Sequence, residues 1–539
     1  MALGEEEVAE LHERTEGWPA GLYLAALCVR EGSSPGRAAA SFTGDDRFVT
    51  EYMESEFFSR ISPPERVFLT RTAVLERMCG PLCETVAAGP EGPAATLADV
   101  AGSNVLLVPL DRRGEWYRYH HLFRDMLLAE LHRAEPGLAR VLRRRAAAWC
   151  LANDLTEEAL EYFIAAGDTD AAAGLAGLLI TPAYQQGRVA TVQRWLRWLD
   201  DRDGIAGHPL VAVQAGLFSA LTGRPVEAGR WADAVDRWQH GDAARPDDPP
   251  AQAWAAVLRG MLCRRGVERM GADADEAARR FAEHGIVAPV PALLQGLARV
   301  LSGDLDGGDA SFQDAVSIGE QVGAPELLPV ALSERALVAV ARGDWDQAEL
   351  LASQARAALR RAGIEHSFAT PLVCAAQARV AMHRGDAAAA HRELVSAQRL
   401  RPLLTHALPH LAVQARIELI RVHLALTDLV GARTLLREVE DLLRRRPGLG
   451  TLAGEAQALR AQLAQRHGSS TPGASALTAA ELRLLPLLST HLSFPEIGAE
   501  LFLSRHTIKS QVRSIYRKLG ASTRSEAVTR ARELGLLDG

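Results

Sequence analysis

The basic residues near the C-terminus are spaced so that one helix would present most of them on a single face. The segment RHTIKSQVRSIYRKL (505–519) holds both lysines of the chain, Lys509 and Lys518, among 60 basic residues. Its opposite face carries apolar residues at helical spacing, which predict one buried stripe. The basic face has hydrogen-bond donors and no carboxylate, which is typical of a surface that contacts nucleic acid. The buried stripe consists of Ile508, Val512, Ile515 and Leu519.

Lys509 and Arg513 lie one helical turn apart on that face. Lysine is a compact charge on a flexible stem, whereas arginine is a planar fork that pairs bidentately. We therefore expect Lys509 to approach the O6 and N7 acceptors of guanine, and Arg513 to bind such acceptors with two hydrogen bonds. Lys518, near the helix end, is expected to meet a phosphate or to offset the helix dipole. Two simpler explanations stay open: a solvated basic face, and lysines retained by selection in an arginine-biased composition.

Flanking residues predict that this helix is the third of four within residues 477–539. Thr478 and Glu481 form a capping box for the first helix, which should run to about Ser489. The third helix should stop at Gly520. A two-residue turn joins the second and third helices, which makes a helix-turn-helix whose second helix would enter the DNA major groove. The predicted helix starts follow Thr478, Ser493, Ser504 and Thr523.

The charge distribution indicates a small basic domain attached to an acidic body. The net charge of the chain is −7, which by itself argues against nucleic-acid binding. Residues 477–539 contain nine Lys or Arg and six Asp or Glu, a net charge of +3, so the remainder carries −10. Such asymmetry is typical of a protein with a nucleic-acid-binding domain.

Three features predict a cytoplasmic protein without a metal site. No run of ~18 apolar residues predicts a membrane span, and the acidic N-terminus differs from a signal peptide. The six cysteines are scattered, which favours free thiols in a reducing compartment. Cys79 and Cys83 are the only close pair, and they lack the second pair of ligands that a zinc site needs.

Between about residues 151 and 465, a turn containing Gly or Asp is repeatedly followed by an Ala-rich amphipathic helix. The turns recur about every 37–43 residues, near the period of tetratricopeptide-like helical hairpins. Such hairpins bury their apolar faces only by stacking, so they predict a superhelix with a concave surface for an effector or a partner protein. An irregular helical bundle is the alternative. The turn residues are Gly223, Gly266, Gly303, Gly343, Gly385 and Thr427.

The first 150 residues follow a different pattern. NVLLVPLDRRGEWYRYHHLF (104–123) predicts a strand, a tight turn with Gly114 in the left-handed region, a second strand, and a helix from about His121 to Leu131. Upstream, Ser62 is followed by two prolines and Glu65, which predicts a helix start. Helices followed by one β-hairpin are the parts of a winged helix.

The segment LTAAELRLLPLLSTHLSFPEIGAELFLSRHTIKSQVRSIYRKLGASTRSEAVTRARELGLL resembles the C-terminal DNA-binding domain of LuxR-type transcriptional regulators. The resemblance covers about 60 residues, and it implies that Lys509, Ser510 and Arg513 contact base edges. It also implies a set of phosphate contacts and a surface through which the domain dimerises on DNA. The implied phosphate contacts are Ser493, Ser504, Arg505, Thr507, Arg517 and Lys518; the implied dimer surface is Arg524, Glu526, Ala527 and Arg530.

The segment departs from the usual LuxR-type pattern at a few positions. Phe494 and Pro495 stand where family members commonly have Asn followed by Lys or Arg, which removes one phosphate contact. Gln511 replaces a frequent His, and Gly498 replaces a frequent Ala. These departures bear on which DNA sequence is recognised rather than on the fold.

A second resemblance extends over most of the chain. RTEGWPAGLYLAAL (14–27), FTGDDRFVTEYMESEFF and WYRYHHLFRDML resemble the large ATP-dependent LuxR-type regulators of the MalT-like class, in which an NTPase module precedes the winged helix, the repeats and the LuxR-type domain. A phosphate-binding loop needs a Gly-rich turn ending in Gly-Lys-Ser/Thr, and neither lysine follows such a turn. Two interpretations stay open: a portion of a longer product, or a regulator that lost its nucleotide switch.

His120, in YRYHHLF, corresponds to a winged-helix histidine that senses nucleotide phosphate in related signal-transducing NTPases. By analogy it is a candidate vestigial phosphate sensor. A metal site made by His120 and His121 is disfavoured, because adjacent side chains on a strand point to opposite faces. No catalytic residues, metal ligands or cofactor-binding loop are predicted.

These patterns predict a mainly α-helical, non-enzymatic regulator that binds double-stranded DNA as a dimer and activates RNA polymerase in response to an effector or a protein partner. The alternatives are a fragment of a signal-transducing NTPase regulator, and a repeat scaffold that does not bind DNA. The predicted parts are a helical tail resembling the end of an NTPase module at 1–41, a winged-helix-like domain at 42–135, a tetratricopeptide-like α-solenoid at 136–465, a linker at 466–476, and a four-helix LuxR-type helix-turn-helix domain at 477–539.

Overall fold

The computed structural model divides the chain into two compact units, one formed by residues 1–179 with 197–204 and the other by 180–196 with 205–539. Helices dominate both units. No helix among the described residues is long and apolar enough to cross a membrane. The predicted linker and most of the predicted N-terminal tail lie outside the described residues. The structure describes residue 12 and residues 15–31, 46–89, 95–101, 106–205, 207–240, 249–465 and 477–537.

The N-terminal part of the first unit consists of short helices followed by one antiparallel hairpin. Strand β1 pairs with β2 in the register Leu107 to Tyr119, and a helix follows directly, as the sequence predicts. The elements are α1 (Pro19–Glu31), α2 (Arg47–Glu56), α3 (Pro63–Thr72), α4 (Gly80–Ala87), α5 (Leu97–Ala101), β1 (Leu107–Pro109), β2 (Tyr117–Tyr119) and α6 (His121–Ala134).

The hairpin turn is held by one carboxylate. Asp111 accepts hydrogen bonds from the backbone amides of Arg113, Glu115 and Trp116 at 2.7–3.1 Å. Gly114 has φ +67°, the left-handed conformation that favours glycine. The Tyr119 hydroxyl lies 2.6 Å from that of Thr72 in the unit's core. The hairpin is therefore fixed both at its turn and at its base.

Helical hairpins occupy residues 138–465, and the predicted repeats are confirmed. The six predicted turn residues all have positive φ, between +59° and +96°. The helices are α7 (Leu138–Ala152), α8 (Thr156–Ala166), α9 (Thr169–Gln185), α10 (Val189–Asp200), α11 (Pro209–Leu221), α12 (Pro225–His240), α13 (Pro249–Leu262), α14 (Val267–Glu283), α15 (Val290–Leu301), α16 (Leu305–Val322), α17 (Leu328–Arg342), α18 (Trp345–Arg361), α19 (Thr370–His383), α20 (Ala387–Leu400), α21 (Pro409–Ala425), α22 (Leu429–Arg445) and α23 (Thr451–Gln465).

In the later repeats, the same type of turn connects the two helices of each hairpin. A residue with positive φ is followed by an aspartate whose side chain accepts a hydrogen bond from an amide in the first turn of the next helix, at 2.8–3.1 Å. Such a cap satisfies one of the amides that a helix start leaves unpaired. The four capping residues are Asp304, Asp344, Asp386 and Asp428.

Early and late repeats of the second unit contact one another. The Val267 amide donates to the Gly448 carbonyl at 3.0 Å, and the Gln414 amide group donates to the Glu334 carboxylate at 2.7 Å. A Cβ on Gly223 would lie 3.1 Å from the Leu403 Cα. These contacts join residues at least 80 positions apart, so this run of repeats curls around an interior.

The C-terminal domain contains the four predicted helices, with one difference. The first helix ends at Leu484 instead of near Ser489, and the chain continues as a 3₁₀ turn, Pro486–Ser489. Proline has no amide hydrogen to donate, which explains the break at Pro486. The helices are α24 (Ala479–Leu484), α25 (Phe494–Glu500), α26 (Arg505–Leu519) and α27 (Arg524–Glu533).

Candidate nucleic-acid interface

Helices α25 and α26 are joined by a tight turn. The Leu503 amide donates to the Gly498 carbonyl at 2.8 Å. A Cβ on Gly498 would lie only 2.7 Å from the Leu503 carbonyl oxygen, so glycine allows this close approach. Phe502 takes φ +54° and is 89% exposed. The sequence identified Gly498 only as a departure from the family pattern and did not reveal this contact.

Helix α26 is anchored by its buried stripe and by both of its caps. Ile508, Val512, Ile515 and Leu519 are all buried, as predicted. The Ser504 hydroxyl accepts a hydrogen bond from the Thr507 amide at 3.1 Å, and Gly520 ends the helix with φ +67°. The rotation of the helix is thereby fixed, and with it the direction in which the opposite face points.

The three residues expected to contact bases lie on that opposite face. Lys509, Ser510 and Arg513 are all exposed. Lys509 and Arg513 are spaced i, i+4, so their side chains emerge on neighbouring turns. The face thus presents an ammonium group, a hydroxyl and a guanidinium side by side, which are donors suited to the acceptor-rich edge of guanine in a major groove.

The residues expected to contact phosphate are less uniform. Arg505 and Arg517 are exposed, whereas Ser493 and Ser504 cap α25 and α26, and the Thr507 hydroxyl lies 2.8 Å from that of Ser504. Hydroxyls at helix N-termini sit beside free backbone amides, which favour anions.

Lys518 forms an ion pair inside the domain. Its ammonium group donates to both carboxylate oxygens of Glu481, at 2.9 and 2.7 Å, and the two side chains are 18% and 6% exposed. Burial opposes the ionisation of Glu481, but the hydrogen bonds from Lys518 and the Thr478 amide outweigh it and hold the pKa of Glu481 below its usual range. Nothing in the sequence signalled this pairing, because the partners are 37 residues apart.

The four residues expected at a dimer surface divide into two groups. The Arg524 guanidinium donates to the carbonyls of Leu487, Leu488, Thr490 and Leu492 at 2.7–3.1 Å, and Ala527 is buried in the domain core. Arg530 is exposed and pairs with Glu533 at 3.0 Å. Glu526 accepts a hydrogen bond from the Ser522 amide at 2.9 Å. Arg524 and Ala527 thus hold the domain itself together.

The C-terminal domain also contacts the repeats. Buried Arg401 donates to the Leu477 carbonyl at 2.6 Å, and Glu438 accepts a hydrogen bond from the Ala479 amide at 2.8 Å. The Arg416 guanidinium lies 2.8 Å from the same Glu438 carboxylate. Burial opposes ionisation of Glu438, yet Arg401 and Arg416 lower its pKa overall. This contact leaves Lys509 and Arg513 exposed.

His120, the candidate phosphate sensor in the first unit, is 5% exposed. One of its ring nitrogens, Nε2, lies 3.0 Å from the Thr15 carbonyl. The His121 Nδ1 lies 2.7 Å from Glu16, and Arg118 pairs with the same carboxylate at 2.7 Å. The hydrogen bond from Arg118 is the main cause that lowers the pKa of Glu16 to about 2.

The expectation that His120 and His121 point to opposite faces is wrong. Their rings stack with centroids 5.0 Å apart, because β2 ends at Tyr119 and His121 already begins α6. The alternation of a strand therefore does not apply. Among the described residues, no group of three or more His, Cys, Asp or Glu is placed to hold a metal ion.

Comparison with known proteins finds two family domains. The MalT winged helix domain matches residues 54–139, and the domain of bacterial regulatory proteins of the luxR family matches residues 475–531. These matches fall on the β-hairpin region and on the helix-turn-helix described above.

Several relatives match parts of the chain. The serine/threonine-protein kinase PknK of Mycobacterium tuberculosis is 27% identical over 265 residues, which are 48% of this chain and 23% of the relative. The HTH-type transcriptional regulator MalT of Klebsiella pneumoniae is 28% identical over 166 residues, 30% of this chain and 18% of the relative. The chain thus spans less than a quarter of the length of these curated relatives.

Among solved structures, a STAND protein with a tetratricopeptide repeat sensor from Pyrococcus horikoshii aligns with a TM-score of 0.46 and 14% identity, covering 90% of this chain and 69% of that one. The resemblance that the sequence suggested is confirmed by the two family domains. The chain therefore carries both a MalT-type winged helix domain and a luxR-family DNA-binding domain.

Proposed function

We propose that the chain is a sequence-specific DNA-binding transcriptional regulator. The observation that carries the proposal is the exposed face of α26, where Lys509, Ser510 and Arg513 project from a helix whose other face is buried. In a helix-turn-helix the second helix lies in the major groove and its side chains contact base edges. The luxR-family match over residues 475–531 supports the same role.

Two copies would bind together. In helix-turn-helix dimers the two recognition helices enter successive major grooves about 34 Å apart. Arg505 and Arg517, both exposed on α26, would contact the phosphates that flank the bases. Arg530 and Glu526 on α27 are the residues of the implied dimer surface that are not committed to the domain core.

The repeats would serve as the sensing body. An effector or a protein partner bound there would alter the availability of the C-terminal domains, and the bound dimer would activate transcription through RNA polymerase. The chain would act in the cytoplasm and would have no enzymatic activity of its own. The contact of Arg401 and Glu438 with the start of α24 supplies a physical route between the two parts.

The test is DNA binding by the full chain, measured by fluorescence anisotropy on fragments of the organism's own promoters. On the preferred fragment, Lys509→Ala and Arg513→Ala should each lose about 1–3 kcal/mol of discrimination against random DNA. Arg360→Ala removes an equal charge from an exposed position on α18 and serves as the matched control. It should bind like the unaltered chain.

The salt dependence gives a second measure. The logarithm of affinity should fall with the logarithm of salt concentration at a slope of about 0.9 per neutralised phosphate. If the two α26 variants behave like Arg360→Ala on every fragment, the proposal is wrong, and a repeat scaffold whose C-terminal domain contacts other proteins becomes the better account.

A further inference from the structure

The inner helices of the second unit enclose an apolar cavity. It is lined by α11, α13, α15 and α21, by the C-terminal end of α9 and by the start of α17. The cavity has a volume of about 110 Å³ and is partly open to solvent. Aromatic rings contribute to its wall, from Tyr184, Phe218, Trp254 and Phe368.

Two polar groups in this wall have atoms without a partner. Glu326 accepts a hydrogen bond from Gln185 at 2.7 Å through one carboxylate oxygen, while its other oxygen, Oε2, is buried and unpaired. The Nδ1 of His410 is likewise buried and unpaired, and this residue is 2% exposed. Burial lowers the pKa of His410 to about 4, so its ring is neutral at pH 7. By contrast, Thr181 and Gln214 bond to each other at 2.7 Å.

The charge of the wall favours one class of ligand. With His410 neutral, Glu326 is the only charged residue among the described residues that line the cavity, and none of these is Lys or Arg. A buried carboxylate oxygen without a hydrogen-bond donor is unfavourable. A ligand that brings a cationic donor would satisfy it, whereas an anionic ligand would add a second negative charge near the first.

We propose that this cavity binds a small hydrophobic amine. Its apolar body packs among Phe218, Trp254 and the leucines of α15, and its ammonium group donates to the Oε2 of Glu326. Aromatic walls also favour a cation through the negative face of each ring. The inference that the amine is the effector rests on the function proposed above. Its binding to the cavity does not depend on that function.

The binding test uses isothermal titration calorimetry of the full chain at pH 7 without DNA. Three probes share a phenyl ring and differ in the end group: 2-phenylethylamine, 2-phenylethanol and 3-phenylpropionate. The amine should bind with a saturable isotherm, more tightly than the alcohol, and the propionate should bind least. Glu326→Gln keeps the shape of the side chain and removes its charge. It should therefore lower the affinity for the amine by about tenfold or more and leave the affinity for the alcohol nearly unchanged.

Two further variants test whether the probes bind in this cavity rather than elsewhere on the protein. Glu365→Gln removes a carboxylate from an exposed position in the repeats of the second unit and should leave the affinities for all three probes unchanged. Leu294→Trp places a large side chain in the cavity and should abolish binding of every probe. Its folding is checked by circular dichroism, and Glu326→Gln carries the test if this variant does not fold.

The proposal is overturned if no probe gives a saturable isotherm, if the propionate binds as well as the amine, or if Glu326→Gln leaves the amine's affinity intact. The DNA-binding proposal is judged separately, by the Lys509 and Arg513 variants in the absence of any amine. A chain that binds DNA and no amine would reject only the cavity assignment, and a chain that binds the amine and no DNA would reject only the regulator.

Discussion

At the scale of single residues, the two lysines of α26 have different surroundings. The ammonium group of Lys518 is bonded to Glu481 inside the C-terminal domain, while Lys509 is exposed on the proposed DNA-binding face. A lysine can place one compact charge between two oxygens at the end of a flexible stem, where a planar guanidinium needs a wider, flat site. The same residue type thus stabilises the domain at one position and, in the function proposed above, contacts DNA at the other.

Replacing Lys518 by methionine should loosen the C-terminal domain. The change leaves the Glu481 carboxylate buried without its cation, at a cost of about 2 kcal/mol. Hydrogen exchange of the amides of α24 and α26 should accelerate on the order of 30-fold. Lys509→Met removes the same charge from the exposed face and should leave exchange unchanged; equal effects of the two variants would contradict the assigned roles.

A second residue-scale prediction concerns acid sensitivity in the first unit. The folded pKa of Glu16 is about 2, lowered from 4.5. Since the folded value lies below the unfolded one, its pairing with Arg118 stabilises the fold fully above pH 4.5 and loses this contribution as the pH falls toward 2.

Scanning calorimetry of Arg118→Met against the unaltered chain tests this dependence. The difference in melting temperature should be present at pH 6 and should shrink as the pH falls from 4.5 toward 2. Arg113→Met, at an exposed turn position, is the control and should melt like the unaltered chain at each pH. A difference for Arg118→Met that stays constant with pH would refute the linkage.

At the scale of helices and turns, the sequence correctly predicted the features that depend on residues only a few positions away. The capping box of Thr478 and Glu481, the Gly520 stop and the repeated turns between hairpins all lie within a few residues of the structure that they determine. The pairing of Lys518 with Glu481, the carbonyls around Arg524 and the stacked rings of His120 and His121 depend on how elements pack. Periodicity and cap signals carry no information on such contacts, which explains why they were missed.

The turn between α25 and α26 allows a stability prediction. A phenylalanine in the left-handed region is strained by about 1 kcal/mol, and Phe502, at 89% exposure, has little packing to compensate. Asparagine tolerates this conformation better. Phe502→Asn should therefore slow hydrogen exchange of the α25 and α26 amides by several-fold.

Phe502→Ala is the matched control, because alanine removes the ring and keeps the strain. If both variants accelerate exchange, the ring contributes packing that its exposure does not suggest, and the prediction fails.

At the scale of the whole molecule, the contact between the repeats and the C-terminal domain rests on few groups. Glu438 joins Arg401 and Arg416 of the repeats to the amide of Ala479 at the start of α24. A carboxylate at a helix N-terminus is favoured by the helix dipole. This contact could not be predicted from local sequence signals, because Glu438 and Ala479 are 41 residues apart.

Glu438→Gln should weaken this contact without unfolding either part. The amides from Leu477 to Leu485 should exchange at least about tenfold faster, and those of α26, away from the contact, should keep their protection. Glu365→Gln supplies the control. Unchanged exchange at Ala479 would show that the contact does not depend on this carboxylate.

The contacts between early and late repeats also restrict how the protein can change in length. Where stacked hairpins form an open array, a duplication or deletion of one hairpin simply makes the array longer or shorter. Here the Val267 amide bonds to Gly448 and Gly223 lies against Leu403, so a hairpin added between Gly223 and Gly448 would separate at least one of these pairs, and one added between Val267 and Leu403 would separate both. Gene variants that gain or lose one whole repeat should therefore be tolerated less well between Gly223 and Gly448 than at the ends of the repeat region.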